Sequence, residues 1–508
     1  MSAKIRRCAM NNKGQTTVLF SLIISVLFLF TLSALEAGRI YMSKVKIRAV
    51  VHSTQSSIMA DYNRELFERY HLLFMDPTYG TGSEATAEEK IEDYLETSLN
   101  SGEGNIYRFT VEEIGLANQK NIFKENMKQL KEQITEYEKT AGLLQKAKDL
   151  GNRFKEGESG IEKAAKETER NGTALPDTGG EPMGGEKDVP EKNGDNKEQG
   201  KGEAQVKADD PRDALGKTLK TGILAFVLPD DRSVSKEKYD FSDAPSEQYQ
   251  EQKEEEKDNS FRDIEFLKGF LKKSGDTAGN NIETYAAFVS YADSHFSNMV
   301  NPMEESVLKC EEEYILKGKN SDYDNLESVV NELIWIRMPV NYAYLLTDEQ
   351  KKSEALTLAA AICTATGTVA MIEVEKYLLL GCWAYGETLY EMKILLSGEK
   401  IPYVKTKETW CTGLENPGYS KQKKTVKQGM DYGDYLMVLL AKKGQKNKCY
   451  ARMMDLMEIN LQKNDPNFEI KNCTGGFTIQ GRTSLNSLFT GAPRREVYEY
   501  CFEKEFSY

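Results

Sequence analysis

Hydrophobic positions crowd the N-terminus of this chain and are then spaced out at helical intervals. Val18 to Leu35, VLFSLIISVLFLFTLSAL, is an uncharged run of 18 residues. At about 1.5 Å per residue, the run and its polar flanks reach across a bilayer core of roughly 30 Å. Neither Pro nor Gly interrupts Ile40 to Met75, so the membrane helix is predicted to continue outward as a stalk. Asp61 to Gly80 closes it, with Pro77 and Gly80 as stop signals. A short helix is predicted over Glu88–Leu99, and the alternation of Tyr107, Phe109 and Val111 predicts a strand. Phe123, Met127, Leu130, Ile134, Tyr137, Ala141 and Leu144 then recur at spacings of four and three, an a/d seam over three heptads. Packing within the chain is the commoner outcome at this length, and self-association through the seam is the alternative.

The middle of the chain loses this pattern. Lys155 to Arg212 is rich in Gly, Pro, Glu and Lys and buries too little to offset its ordering entropy, which predicts disorder. A short helix, Ala214–Leu228, precedes a charged stretch, Arg232–Asp258, read as solvated linker. Helical pattern returns from Asn259: over Phe261–Leu271, over Thr284–Leu316 with a break near Pro302, and over Asp324–Leu346 around Pro339. Ala355–Ile372 carries no charge, but its Ala, Thr and Gly content favours a buried helical hairpin over a second span. Glu373–Leu396, Asp434–Leu440 and Tyr450–Leu461 complete the helices. Phe468, Ile470, Phe477 and Ile479 are assigned to short strands, and Tyr498, Tyr500, Phe502 and Phe506 alternate along a last one. The architecture expected is α+β and predominantly helical, with a small antiparallel C-terminal sheet. Its parts are a basic leader (1–15), a membrane helix (16–38), a stalk with strand and seam helix (39–154), a disordered linker (155–212), a short helix with acidic linker (213–258) and a helical body ending in strands (259–508).

Charge sharpens the topology and removes chemistry. Lys4, Arg6, Arg7 and Lys13 precede the apolar run, and a long body of net acidic charge follows, which favours the N-terminus inside and the body outside. A cleaved signal is the rival, but Leu32 and Leu35 occupy the −3 positions before Ala34 and Ala37, where a signal peptidase wants small residues. The formal net charge of −13 argues against a nucleic-acid partner. Three histidines leave little for a zinc site or a histidine-based triad, and no cofactor is expected. Ser321–Ser328, SDYDNLES, has two acids at calcium-loop spacing without the Gly or closing Glu, and reads as a helix N-cap. Arg452, Asp455 and Glu458 fall at i, i+3 and i+6, where Arg452 can pair with Asp455, and read as a solvated face rather than a site. Tyr385, Leu389 and Met392 read as core on one helical face, with Trp383 on another. Among eight cysteines no CxxC occurs; Cys473 with Cys501, both placed on C-terminal strands, is the disulfide to test, with free buried thiols as the alternative.

Lys13-Gly14-Gln15-Thr16-Thr17-Val18, a basic residue and Gly before a polar stretch and one apolar helix, resembles the leader of TadE/TadG-like proteins of tight-adherence pilus systems. That resemblance implies processing between Gly14 and Gln15, although Leu19 stands where processed pilin-like proteins carry Glu. Glu311–Asp348, Gly381–Trp410, Asp431–Leu436 and Arg452–Leu461, with DYNRELFERY, resemble a family of membrane-anchored proteins of Gram-positive anaerobes. That family is a domain of unknown function often met beside tight-adherence pilus genes. The function implied is a single-pass, non-enzymatic structural or assembly component with lipid and other envelope proteins as partners. A ligand-binding or sensor module is the alternative, followed by an envelope hydrolase.

Overall fold

The apolar run and the stalk form one helix. In the computed structural model, α1 spans Lys13–Met59 without a break, and its character changes sharply after Leu35. From Thr16 to that point its side chains are exposed on every side of the helix, with Phe30 72% exposed. Beyond it Glu36, Arg39, Ser43, Ile47, Val51, Thr54 and Ile58 form one buried stripe at spacings of three and four, with Ile47 2% exposed. The outer half of α1 is therefore not a free stalk. It is a core helix of the body.

The structure describes residues 13–102, 106–141, 210–249, 281–420, 426, 429–443, 446–488 and 497–508. They belong to two compact units, 1–133 with 457–508, and 134–456. In the first unit, α2 (Arg64–Tyr70) starts where the Asn63 side chain accepts the Leu66 N–H and stops at His71, which is left-handed. α3 (Ala85–Asn100) buries Ala87, Ile91, Leu95 and Leu99, every fourth residue. Three antiparallel strands, β1 (Phe109–Ala117), β2 (Gly476–Asn486) and β3 (Val497–Ser507), lie in the order β1-β2-β3. Their register sets Phe109 opposite Leu485, and Leu485 opposite Tyr498. The core joins Ile47, Val51 and Ile58 of α1 to Ile91 and Leu95 of α3 and to Phe477, Leu485 and Phe506 of the sheet. Phe468 and Ile470, expected on strands, lie in turns instead. Asp465-Pro466 starts a tight turn closed by the Phe468 N–H on Asp465, and a 3-10 turn over Ile470–Asn472 follows.

The seam predicted from Phe123 begins late. α4 (Lys124–Ala141) opens with Glu125, Asn126 and Met127 in left-handed conformation, which takes Phe123 out of the heptad register. Met127, Leu130 and Ile134 are buried within the chain. The Tyr137 ring packs edge-on against His295, Ala141 is exposed, and Leu144 lies outside the described residues.

In the second unit the predicted Ala214–Leu228 helix is broken in two. α5 (Pro211–Thr221) and α6 (Ile223–Val227) meet at Gly222, whose φ of +92° no helix accommodates. Residues 232–249 form a packed strap rather than a solvated linker. Tyr239 N–H donates to Asn320 O, Tyr323 N–H donates to Ser235 O, and Phe241 stacks on Tyr314 at 4.6 Å. Charge around Phe241 and Ala244 masked two residues that bury themselves. The rest of that linker, most of 155–212 and the helix predicted over 261–271 lie outside the described residues.

The remaining helices are α7 (Asn281–His295), α8 (Glu311–Lys317), α9 (Asp322–Thr347, with Pro339 inside), α10 (Glu349–Thr366), α11 (Ile372–Leu396), α12 (Tyr432–Lys443) and α13 (Asn447–Leu461). α10 and α11 make the helical hairpin expected around 355–372, turned at left-handed Gly367. Ala355 and Ala359 pack on Leu379, Leu380 and Trp383. Only one face of α10 is buried, however, and the tip around Val369 and Met371 is exposed.

Candidate functional site

Polar chemistry in the second unit concentrates where helices seize loops. On α11, Trp383, Glu387 and Glu391 stand four residues apart, on one ridge of the helix. All three grip the segment 401–412. The Trp383 and Trp410 indoles both donate to Thr412 O, at 3.1 and 2.9 Å. Glu387 Oε2 accepts from the N–H and Oγ1 of Thr412, while its Oε1 takes Lys405 Nζ at 2.5 Å. Glu391 holds the Arg337 guanidinium of α9 through two bonds, 3.0 and 2.7 Å, and also accepts from Asn341 Nδ2. Lys405 Nζ lies 3.1 Å from Glu391. Two carboxylates thus meet two cations with no access to water. Burial alone would raise the Glu391 pKa, but Arg337 and Lys405 outweigh it and hold it down to about 2.

A second cluster is acidic. Glu311, Glu312 and Glu313 of α8 are fully buried and each reaches one member of the loop Ser297-Asn298-Met299 in register. Glu311 Oε2 accepts from Ser297 N and Oγ, Glu312 Oε1 from Asn298 Nδ2, and Glu313 Oε1 from Met299 N and the Tyr432 hydroxyl. Burial, with Asp293 nearby, pushes the Glu312 carboxyl well above its ordinary range. Burial raises Glu313 to about 7 despite those two donors. Asp322, the first residue of α9, accepts from the N–H groups of Lys309 and Cys310. These acids substitute for water around a buried loop, which is a structural task for a carboxyl group.

The first unit places its buried ion pair at the end of the apolar run. Arg39 Nε donates to Glu36 at 3.0 Å, and Nη2 contacts both Glu36 and Asn486 O, the latter at 2.7 Å. One guanidinium therefore ties α1 to the end of β2. Among the described residues, α1 is the single helix long and apolar enough to cross a membrane, and no group of His, Cys, Asp and Glu is arranged to hold a metal.

Residues 201–485 match a family of unknown function, DUF5702. The chain belongs to DUF5702. No curated protein and no solved structure matches it. The DUF5702 segment contains both buried clusters of the second unit and extends to Leu485 in β2.

Residues picked from sequence fall variously on this DUF5702 chain. Gly14 and Gln15 lie in the first turn of α1, and Leu19 is exposed in the apolar run. Ser321 caps α9 by accepting the Asp324 N–H, as SDYDNLES suggests. Leu389 and Met392 are core, Tyr385 is half-buried, and Trp383 is buried on its separate ridge. Arg452 and Asp455 do not form a solvated pair. Asp455 is buried and accepts from Ser246 N and the Tyr314 hydroxyl, while Arg452 donates to Ile315 O across Gly318. Cys473 and Cys501 are both free thiols in this structure. Cys473 is buried ahead of β2, and Cys501 is exposed opposite Arg482, six positions from the β3 end that pairs with Gly476. That is about 20 Å of strand, where a disulfide needs Cβ atoms about 4 Å apart.

Proposed function

We infer that this DUF5702 chain is a single-pass membrane-anchored, non-enzymatic component of an envelope assembly of the tight-adherence pilus type. One observation carries the reading: α1 is continuous from an all-round exposed apolar half into a half whose stripe is the core of the body. A retained anchor makes use of that continuity. A cleaved signal would not, and cleavage after Ala37 would separate Glu36 from Arg39 and break a buried ion pair. The leader around Gly14 supports the pilus assignment, and the mutual bonding of Glu387, Glu391, Arg337 and Lys405 supports a scaffold rather than a reaction centre.

The test has two arms. Intact mass of the protein extracted from membranes should retain the apolar run, with any processing confined to the Gly14–Gln15 bond. Deletion of the gene should impair pilus assembly, adhesion or secretion; a strain normal in all three refutes the assembly role.

A further inference from the structure

The run-side end of the first unit carries more apolar surface than a body held clear of a membrane would need. Arg39 sits four residues beyond Leu35, about 6 Å along the helix axis. Its guanidinium fixes two other chain segments at that level, Asn486 O at 2.7 Å and Ile106 O at 3.4 Å. Asn486 pairs with Val497, so the start of β3 lies there too. The sheet then climbs away from the run beside α1. Arg48 Nε meets the Tyr500 hydroxyl at 3.0 Å, and the Tyr508 hydroxyl reaches Met59 O at 2.9 Å.

The side chains at the low end are Ile106, Leu488 and Val497, which are 54, 46 and 47% exposed. Single exposed aliphatics are ordinary on a protein surface, but three from separate segments at one level beside an apolar helix are not scattered. Above them the chemistry changes in sequence. Tyr41 is exposed on α1, and Lys46 sets its ammonium over the Tyr107 ring at 5.6 Å. Lys44 and Arg48 complete the basic level. Aliphatic, then tyrosine, then cation is the order met on leaving a bilayer; the basic residues stand about 14–20 Å beyond Leu35 along the axis, so their long side chains meet phosphate by reaching back toward the membrane. The headgroup layer on each side is about 5–7 Å thick, which matches the rise from Leu35 to Arg39.

We propose that Ile106, Leu488 and Val497 form a second membrane contact that dips into the phospholipid boundary where α1 emerges. The occupant is the bilayer itself, because Arg39 holds these segments at a level only four residues beyond the end of the apolar run of α1. This rests on the reading of α1 as a retained transmembrane helix. The first unit is then seated on the lipid, with its sheet upright, instead of swinging on a stalk.

The full chain, reconstituted in phosphatidylcholine–phosphatidylglycerol vesicles with or without acyl-chain bromine, tests it. Leu488→Trp and Ile106→Trp each add a tryptophan at the contact, and Glu503→Trp adds one to an exposed site six residues further up β3. After subtraction of the wild-type signal, brominated lipid should cause loss of emission at 488 and 106 and none at 503. Protein that does not float with the vesicles refutes the transmembrane reading itself. Protein that floats with 488 and 106 unquenched, or with 503 quenched equally, overturns the lipid contact and leaves the anchor standing. Unquenched, blue-shifted emission that reverts on diluting the protein in lipid would assign the patch to a second copy and also overturn it.

Discussion

Glu391 shows how far one side chain can commit a structure. It faces Arg337 and Lys405 away from solvent, so its removal takes the carboxylate from the buried Arg337 guanidinium and leaves Lys405 to Glu387. Breaking a buried pair from one side costs about 3–5 kcal/mol, whereas replacing both partners with well-packed apolar groups costs much less. Denaturant unfolding should therefore show Glu391→Ala destabilised by that amount, and Arg337→Met with Glu391→Met should lose less than the two single changes added. Glu313 acts in the opposite sense. Its carboxyl titrates near the usual 4.5 when unfolded and at about 7 when folded, so the native state holds the proton more tightly. Its contribution is complete below pH 4.5 and is lost as pH rises to about 7, a fall on the order of 3 kcal/mol. Melting temperature should drop across that window, and Glu313→Gln should flatten the drop. Glu391 loses its contribution at the other end, as pH falls from 4.5 towards 2. None of this was legible in the sequence. In a chain so rich in acids, a glutamate defaults to solvent, and the partners that reverse that default are distant. Asp455 meets Tyr314 and Ser246, which lie 141 and 209 residues away.

At the scale of elements, legibility followed period. α3, α7, α9, α11 and α13 each appeared where apolar residues recur at helical spacing, and β1 and β3 where they alternate. The strap over 232–249 escaped because its few buried residues sit among charges and repeat at no period. The stripe of α1 escaped for a related reason: its first members, Glu36, Arg39 and Ser43, are polar, so the pattern seemed to end with the run. Close approach of elements was equally hidden. A Cβ on Gly386 of α11 would lie 2.4 Å from Pro417 Cβ and 2.7 Å from Gly418 N, so the loop can pack there only against glycine. Gly386→Ala should cost about 1–3 kcal/mol by overpacking, seen as a lower denaturation midpoint at unchanged slope.

At the scale of the whole molecule, the proposed topology can be read from two thiols. Cys501 is exposed on β3 and Cys473 is buried, with burial pushing its thiol pKa up. A membrane-impermeant maleimide on intact cells should label Cys501 and leave Cys473 unmodified until the chain is unfolded. Labelling of Cys501 only after lysis would place the body on the cytoplasmic side.

The sheet beside α1 also bears on how the chain carries force. β2 and β3 pair through eleven residues, and β3 runs from the level of Arg39 to that of Met59, along the helix axis. In a chain anchored through α1 as proposed, tension along the helix axis runs parallel to those strands and would load their rungs together in shear instead of peeling them one at a time. Resistance to pulling is set by the unfolding rate rather than by equilibrium stability, so under the proposed anchoring it is decided by the direction in which these strands are loaded. A tether built this way can be weak to heat and still strong to traction.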